Sequence, residues 1–479
     1  MALLRVAAHL HPHRIAVTDD RERFSYRQLW QQAEQLAVAL QEEYRIQRRQ
    51  RVAIACRNHA AGIKAIFAAS RLGANVFLFN LEMSTDQMKS LLERLAIDFF
   101  IFDHPEDKPF PDWLESFLQQ DKALPTYHAS SPSIDHLSSI PHSHNQPLKT
   151  VKTGNIVVMT GGTTGQPKPA SRKPSLFNFL PPFIALLEQV HLDRYRSLYI
   201  ATPIYHGFGL AALLIGVILG AELYVTRRFE AVTACSLIAK HQIEVVTLVP
   251  LMLQRLLKQE GRSLSSLRCI LSGGAMLSPS LAQATLAQVG SVLFNLYGTS
   301  EAGFCILGTP SLLSRKPASI GQPVWGVSAK VANATNQSVS RGRIGRLCIK
   351  SAWSTRQNDW IETGDLAYQD PEGDIFLCGR VDDMIVSGGE NVYPVELENI
   401  LMQHPDIDSV VVFGIPDAEF GQRLKAVVVR KQDLMLSIET LREWLKPRVA
   451  RYQMPAVIEF RTHLPYTPLG KLDKKALRE

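Results

Sequence analysis

Asn155-Ile156-Val157-Val158-Met159 runs apolar and β-prone straight into Thr160-Gly161-Gly162-Thr163-Thr164-Gly165-Gln166-Pro167-Lys168. A short apolar strand whose carboxyl end opens into small and hydroxyl residues is the pattern of an open α/β sheet, where ligands sit beyond strand ends. Gly and Thr let a backbone fold tightly around an anion and offer N–H and hydroxyl donors, and Lys168 adds a charge. The segment is not a Walker A loop, because Pro167 precedes the Lys and Pro169 follows it. Taken alone it reads equally as a phosphate cradle and as a flexible turn.

Working outward, the same strand-then-helix texture continues on both sides. Upstream, Ser25 reads as a helix N-cap, with Leu29, Ala33, Leu36 and Leu40 at helical spacing behind it. Residues 51–56, 75–79 and 98–102 read as strands with helical stretches between them, the signature of βαβ units. Residues 121–150 are rich in Ser, Pro and His and read as a surface linker. His128, His136, His142 and His144 lie there without the spacing on a regular element that would fix a metal.

Downstream, strands are expected at 155–159, 197–203, 222–226, 244–250, 268–272 and 292–296. Shorter β runs at 345–350 and 375–380 follow, with Gly-rich turns. From Asp383 the tail reads as its own α+β unit, with helices at 395–403 and 438–445 and strands at 409–413, 425–430 and 457–460.

A chain of 479 residues is too long for one ordinary core, so more than one domain is expected. Its 46% hydrophobic and 20% charged residues are ordinary for a globular protein. The net charge of +7 suits an anionic small ligand. The one dense basic run, residues 45–51, is too short to carry a nucleic-acid reading. Six scattered cysteines without a CxxC pair argue against a zinc site or a disulfide framework and point to a reducing cytoplasm. The N-terminus lacks a signal-peptide core, and the greasiest run, residues 210–221, is too short to span a bilayer.

Three further blocks carry candidate chemistry. Asn295-Leu296-Tyr297-Gly298-Thr299-Ser300-Glu301 follows a strand and offers a flat ring for a base, a hydroxyl for a phosphate and a carboxylate for Mg²⁺. Thr363-Gly364-Asp365 precedes Gly379-Arg380, Asp382 and Gly388-Gly389-Glu390-Asn391. Its carboxylate and guanidinium could clamp vicinal hydroxyls, and the paired glycines permit close backbone approach. Near the end, Gly470-Lys471 places a lysine in a turn, which taken alone reads as a solvated charge.

In this order and at these separations, the four blocks resemble the adenylate-forming superfamily of acyl-CoA synthetases, peptide-synthetase adenylation domains and luciferase. The resemblance runs from about residue 10 to the end. It implies an α/β fold: an N-terminal domain, 1–381, of two βαβ-layered subdomains plus a distorted β-barrel, and a small mobile α+β C-terminal domain, 382–479, hinged at Asp382. It implies that Thr160 through Lys168 hold the β- and γ-phosphates, Thr160 and Glu301 the Mg²⁺, and Ser300 the α-phosphate. Gly273, Gly274 and Ala275 would lie against adenine with Tyr297 stacked on it, in the block that includes Asn295 and Gly298. Asp365 and Arg380 would take the ribose. Lys471 would bridge the acid and the α-phosphate, and Gly388 and Gly389 would line the path of CoA.

The family departures are Gly161, where Ser or Thr is usual, Pro169, Ser300 for Thr, and a shortened segment before Thr363. The stretch Pro203 to Gly209 has no carboxylate to pair with an α-amine, so an acid without one is favoured, with His206 as the pocket-gating residue. The wording of residues 387–394 is most similar to fatty-acyl-CoA synthetases, so the expected reaction is ATP-dependent activation of a medium- or long-chain fatty acid and transfer to CoA, placing it in lipid metabolism. The alternatives are an aryl-acid CoA ligase, an acyl-AMP ligase loading an acyl carrier protein, and a non-catalytic nucleotide-binding homologue.

Overall fold

The computed structural model describes residues 1–104, 112–128, 132–140, 148, 154–161, 167–170, 182–259, 264–356, 358–387, 390–417, 419–431, 436–467, 472–473 and 475–478. The chain divides into two compact units, Met1–Leu248 with Lys258–Leu271, and Val249–Leu257 with Ser272–Glu479.

The first unit holds β1 (Ile15–Thr18), β2 (Arg23–Ser25), β3 (Arg51–Ala55), β4 (Asn75–Leu78), β5 (Phe99–Phe102), β6 (Ala123–Pro125), β7 (Ile156–Gly161), β8 (Pro167–Ala170), β9 (Ser197–Ile200), β10 (Glu222–Val225) and β11 (Val245–Leu248). One sheet has the order β6-β5-β3-β4-β7-β8, parallel except for the last pair. A second run, β11-β9-β10-β1-β2, is parallel up to its β1–β2 hairpin. The expected helix is Tyr26–Glu42. Ser25 and Gln28 form a reciprocal capping box at its start, and Leu29, Ala33, Leu36 and Leu40 are buried.

Two local expectations are corrected. Residues 121–150 are not simply a linker: β6 pairs in parallel with β5, and the helix Ile134–Ser139 buries Ile134 and Leu137 behind an N-cap at Ser133. Elements of three and six residues are too short to show a period, and Pro125 is tolerated because β6 is an edge strand. Likewise the Thr/Gly segment does not run on as loop to Lys168. It turns back into β8, with Thr160 opposite Lys168 and Gly161 opposite Pro167. The sequence Pro-Lys-Pro-Ala reads against a strand, yet prolines fit at a sheet edge, and among the described residues β8 is one.

The second unit holds β12 (Cys269–Gly273, which ends in it), β13 (Leu293–Thr299), β14 (Gly303–Gly308), β15 (Ser319–Pro323), β16 (Val327–Ala332), β17 (Gly345–Ser351), β18 (Ile361–Gln369), β19 (Ile375–Arg380), β20 (Ile385–Ser387), β21 (Glu390–Val392), β22 (Ile407–Asp417), β23 (Gly421–Arg430) and β24 (Val457–Arg461). The order β16-β17-β18-β19-β15-β14-β13 is antiparallel throughout. Among the described residues no pairing joins β16 to β13, so the distorted barrel is seen as an open antiparallel run. Ile306, Leu347, Ile349, Ala367 and Ile375 fill its core.

The tail forms a separate sheet, β21-β20-β23-β22 with β24 parallel to β23. Leu397, Leu401, Val412, Val428, Leu441 and Leu445 give it its own core. All six cysteines are buried and free. Among the described residues, no helix is long and apolar enough to cross a membrane.

Candidate active site

The second unit brings three of the expected residues together. Tyr297 sits on β13, Asp365 on β18 and Arg380 on β19, and Asp365 and Arg380 are paired in register. The Tyr297 hydroxyl donates to Asp365 Oδ2 at 2.6 Å, and Arg380 Nη1 donates to Asp365 Oδ1 at 3.0 Å. The same Nη1 reaches the Thr363 carbonyl at 2.9 Å. Burial, then the neighbouring Asp365 carboxylate, push the Tyr297 phenol well above its usual range, so it stays a donor.

The local sequence is dictated by these contacts. Gly364 has φ +79°, and a Cβ there would lie 2.5 Å from Arg380 Nη2, so only glycine lets the guanidinium reach its partner. Thr363 Oγ1 donates to the Leu347 carbonyl and accepts from the Asp365 amide, which fixes the turn. At the far end of the β18–β19 hairpin, Lys316 Nζ contacts Asp370, Asp374 and Glu372 at 2.5, 2.7 and 2.8 Å. The hairpin is thus anchored at both ends.

The β13–β14 hairpin carries Ser300 and Glu301 at its exposed tip. Gly298 is required because a Cβ would lie 2.2 Å from the Gly303 carbonyl oxygen. Thr299 Oγ1 accepts from the Ala302 amide, and the Glu301 carbonyl accepts from the Thr355 amide at 2.8 Å. Asn295 is buried, and its Nδ2 donates to the Ser319 carbonyl at 3.3 Å, which ties β13 to β15.

Gly273 ends β12, and Gly274 follows with φ +78° in open space, where a Cβ would meet only Val249 at 3.6 Å. The Ser272 hydroxyl beside them is fully buried and has no hydrogen-bond partner. The open backbone at Gly274 suits a flat heteroaromatic ligand laid against it.

The first unit holds His206, the N-cap of the helix Gly207–Leu219, its ring 4.5 Å from the Tyr205 ring in an edge-on arrangement. Asn58, which sequence reasoning missed, holds the preceding turn. Its Nδ2 donates to the Ile200 and Thr202 carbonyls, and its Oδ1 accepts from the Ile204 amide at 2.8 Å. A lone Asn between two apolar segments carries no motif that could have revealed this. Thr160, Gly161 and Lys168 are described as strand backbone only. Gly162, Thr163, Thr164, Gly165, Gly388, Gly389 and Lys471 lie outside the described residues. Asp382 is in an exposed single turn, Val381–Asp383, between β19 and β20.

One metal-like cluster occurs among the described residues. Cys56, His59 and Asp103 present ligand atoms within 4.8 Å of one another. Its hydrogen bonds exclude the metal role. His59 Nδ1 accepts from the Gly62 amide, so the proton is on Nε2, which donates to Asp103 Oδ1 at 2.8 Å. Thr126 and the Arg57 amide fill the rest of the carboxylate. The cluster caps a helix and closes on itself.

Comparison with known proteins identifies the family. The family model for AMP-binding enzymes matches residues 4–357, and that for the AMP-binding enzyme C-terminal domain matches residues 396–471. The chain is 29% identical over 497 residues to a 2-succinylbenzoate–CoA ligase of Staphylococcus aureus (strain MSSA476), covering 98% of each. It is similar to the solved o-succinylbenzoate CoA synthetase from Bacillus subtilis in complex with the acyl-adenylate intermediate OSB-AMP. The TM-score is 0.85 at 25% identity, over 100% of this chain and 98% of that one. The same synthetase with ATP and magnesium ion matches at a TM-score of 0.84 and 25% identity, over 100% and 99%. This chain therefore belongs to the AMP-binding enzyme family of the adenylate-forming superfamily, and it is an AMP-forming acid–thiol ligase.

Proposed function

We propose that the enzyme activates an aromatic carboxylic acid with ATP and passes the acyl group to CoA. The observation that carries the nucleotide half is the Tyr297–Asp365–Arg380 cluster. Each Asp365 oxygen holds one protein donor and retains acceptor capacity, so ribose hydroxyls can be bound without rearrangement. The Tyr297 ring is fixed by its own hydroxyl and offers a face to the base. The donor set therefore fits adenosine.

Glu301, at an exposed hairpin tip beside Ser300, fits a hard cation. Mg²⁺ bound there supplies charge neutralisation for the triphosphate. Ser300 donates to the α-phosphate, and Lys471 draws the acid carboxylate against it. The carboxylate oxygen bonds to the α-phosphorus as the bond to pyrophosphate breaks. The CoA sulfur then bonds to the acyl carbon, AMP leaves, and the thiol proton passes to solvent. Residues 382–479 act as the moving part, turning at Asp382 so that Lys471 serves the first step and Gly388-Gly389 the second.

The aromatic acid replaces the fatty acid expected from residues 387–394, which gains no support from the relatives. Two features favour it: full-length likeness to 2-succinylbenzoate–CoA ligases, and the edge-on Tyr205–His206 pair at the start of the apolar helix. Purified protein with ATP, Mg²⁺ and a panel of aryl and fatty acids, with and without CoA, is the test. Pyrophosphate release with aryl acids, AMP formation accelerated by CoA, and loss of the first step in Lys471→Ala are expected. Turnover by fatty acids alone would overturn the acid assignment, and no acid-dependent pyrophosphate release would overturn the activity.

A further inference from the structure

The shortened segment before Thr363 has a definite place in the second unit. Residues 351–356 lead on from the end of β17, and beyond them the Asn358 amide donates back to the Ser351 carbonyl at 3.0 Å. Ser354 adds its hydroxyl to the same carbonyl, also at 3.0 Å. Trp353 of this segment is buried, 5% exposed. Its indole Nε1 donates to the Phe304 carbonyl at 3.2 Å, and two residues on, the Thr355 amide donates to the Glu301 carbonyl at 2.8 Å.

These two bonds grip the β13–β14 hairpin on β14 and at its tip. Between the gripped carbonyls lie Ala302 and Gly303, and Gly303 takes φ +82°. A tip with a glycine in the left-handed region has few restraints of its own. Thr299 Oγ1 holds it from inside, through the Ala302 amide. The segment after β17 holds it from outside. Pairing crosses a bulge between Tyr297 and Gly298 and ends at Thr299 opposite Gly303, so the three residues beyond it, Ser300 to Ala302, take their aim from these side contacts.

We infer that Trp353, with the Thr355 amide, is a positioning element for the Glu301 carboxylate, setting the affinity of the enzyme for its divalent cation. The inference rests on the assignment of Glu301 to the metal. Trp353 touches no substrate; it acts through the hairpin backbone. Aiming a single exposed carboxylate at a cation needs a fixed main chain, because an exposed Glu side chain otherwise spends its rotamer freedom on binding.

The test is metal binding without turnover. Mn²⁺ is titrated into the full-length enzyme with a non-hydrolysable ATP analogue and followed by electron paramagnetic resonance, alongside steady-state Mg²⁺ activation curves. Trp353→Phe keeps the ring in the core and loses the indole donor, so the Mn²⁺ dissociation constant and the Mg²⁺ half-saturation rise by about three- to tenfold, the worth of one hydrogen bond. The rate at saturating Mg²⁺ stays within about twofold of wild type, because one bond's worth goes to binding rather than to the chemical step. Thr355→Pro removes the second donor and shifts the same constant in the same direction.

Glu301→Gln separates the two layers. If Glu301→Gln leaves Mn²⁺ binding unchanged, the metal assignment itself fails. If Glu301→Gln weakens it while Trp353→Phe and Thr355→Pro bind Mn²⁺ as wild type, the positioning role alone is overturned. A lowered maximal rate with unchanged metal affinity in Trp353→Phe would also overturn it, because that is the signature of general structural damage.

Discussion

Two polar triads, one in each unit, make an instructive pair. Cys56, His59 and Asp103 have the residue types of a metal or nucleophile site, and Tyr297, Asp365 and Arg380 do not. Yet the first is closed. Its carboxylate takes His59, Thr126 and the Arg57 amide, and both nitrogens of its imidazole are used. The second is open: its carboxylate has one side-chain donor on each oxygen and spare lone pairs on both. Residue type suggests chemistry, but unspent hydrogen-bonding capacity permits it.

The sharpest way to break that contrast is Asp365→Asn. Losing the charge that faces Arg380 and, as proposed, the ribose is expected to lower kcat/KM for ATP by about 10- to 100-fold, the range for hydrogen bonds to charged groups. Steady-state kinetics at fixed acid and CoA read it directly. Asp103→Asn moves the other observable. It should cost about 1–3 kcal/mol of stability in denaturant unfolding while leaving KM for ATP unchanged, because it only strands buried donors. An altered KM there would erase the distinction between the triads.

Smaller effects refine it. Tyr297→Phe keeps the ring proposed to stack on the base and loses one bond, so KM for ATP should rise by about three- to tenfold. The pH dependence of stability separates the closed triad further. Burial alone would raise the Asp103 carboxyl, but His59, Thr126 and the Arg57 amide outweigh it and hold it below the usual carboxylate range. A carboxyl depressed in the folded state contributes stability that is complete above its unfolded value and lost as pH falls through its folded value. The stability gap between wild type and Asp103→Asn should therefore be flat at neutral pH and narrow only in acid. Least of all, added Zn²⁺ should leave the melting temperature where it is, since binding would require a proton to leave His59 Nε2.

The open triad was legible because its residues are individually costly to keep. Gly364 is there for want of room beside Arg380, and Asp365 and Arg380 are charges that need each other. Such residues leave marks in short motifs. Asn58 and Trp353 do equally specific work through single bonds to main-chain carbonyls, and nothing in the neighbouring letters announces which carbonyl. Asn295 lies inside a recognisable block, yet the block does not announce that the residue is buried and bonded to the Ser319 carbonyl. The same limit explains the missed strands. β6 and β8 are edge segments containing proline, where local preference and tertiary pairing disagree.

The edge strand β8 has a consequence for self-association. Pro167 and Pro169 lie two apart, opposite Gly161 and Met159 of β7. Neither has an amide proton, and alternation along a strand points both nitrogens to the same side. A ladder with β7 can survive only if that side is the outer one. The rim of this sheet then offers carbonyls but, at those two positions, no donors, and a second chain seeking to extend it finds half of the template missing.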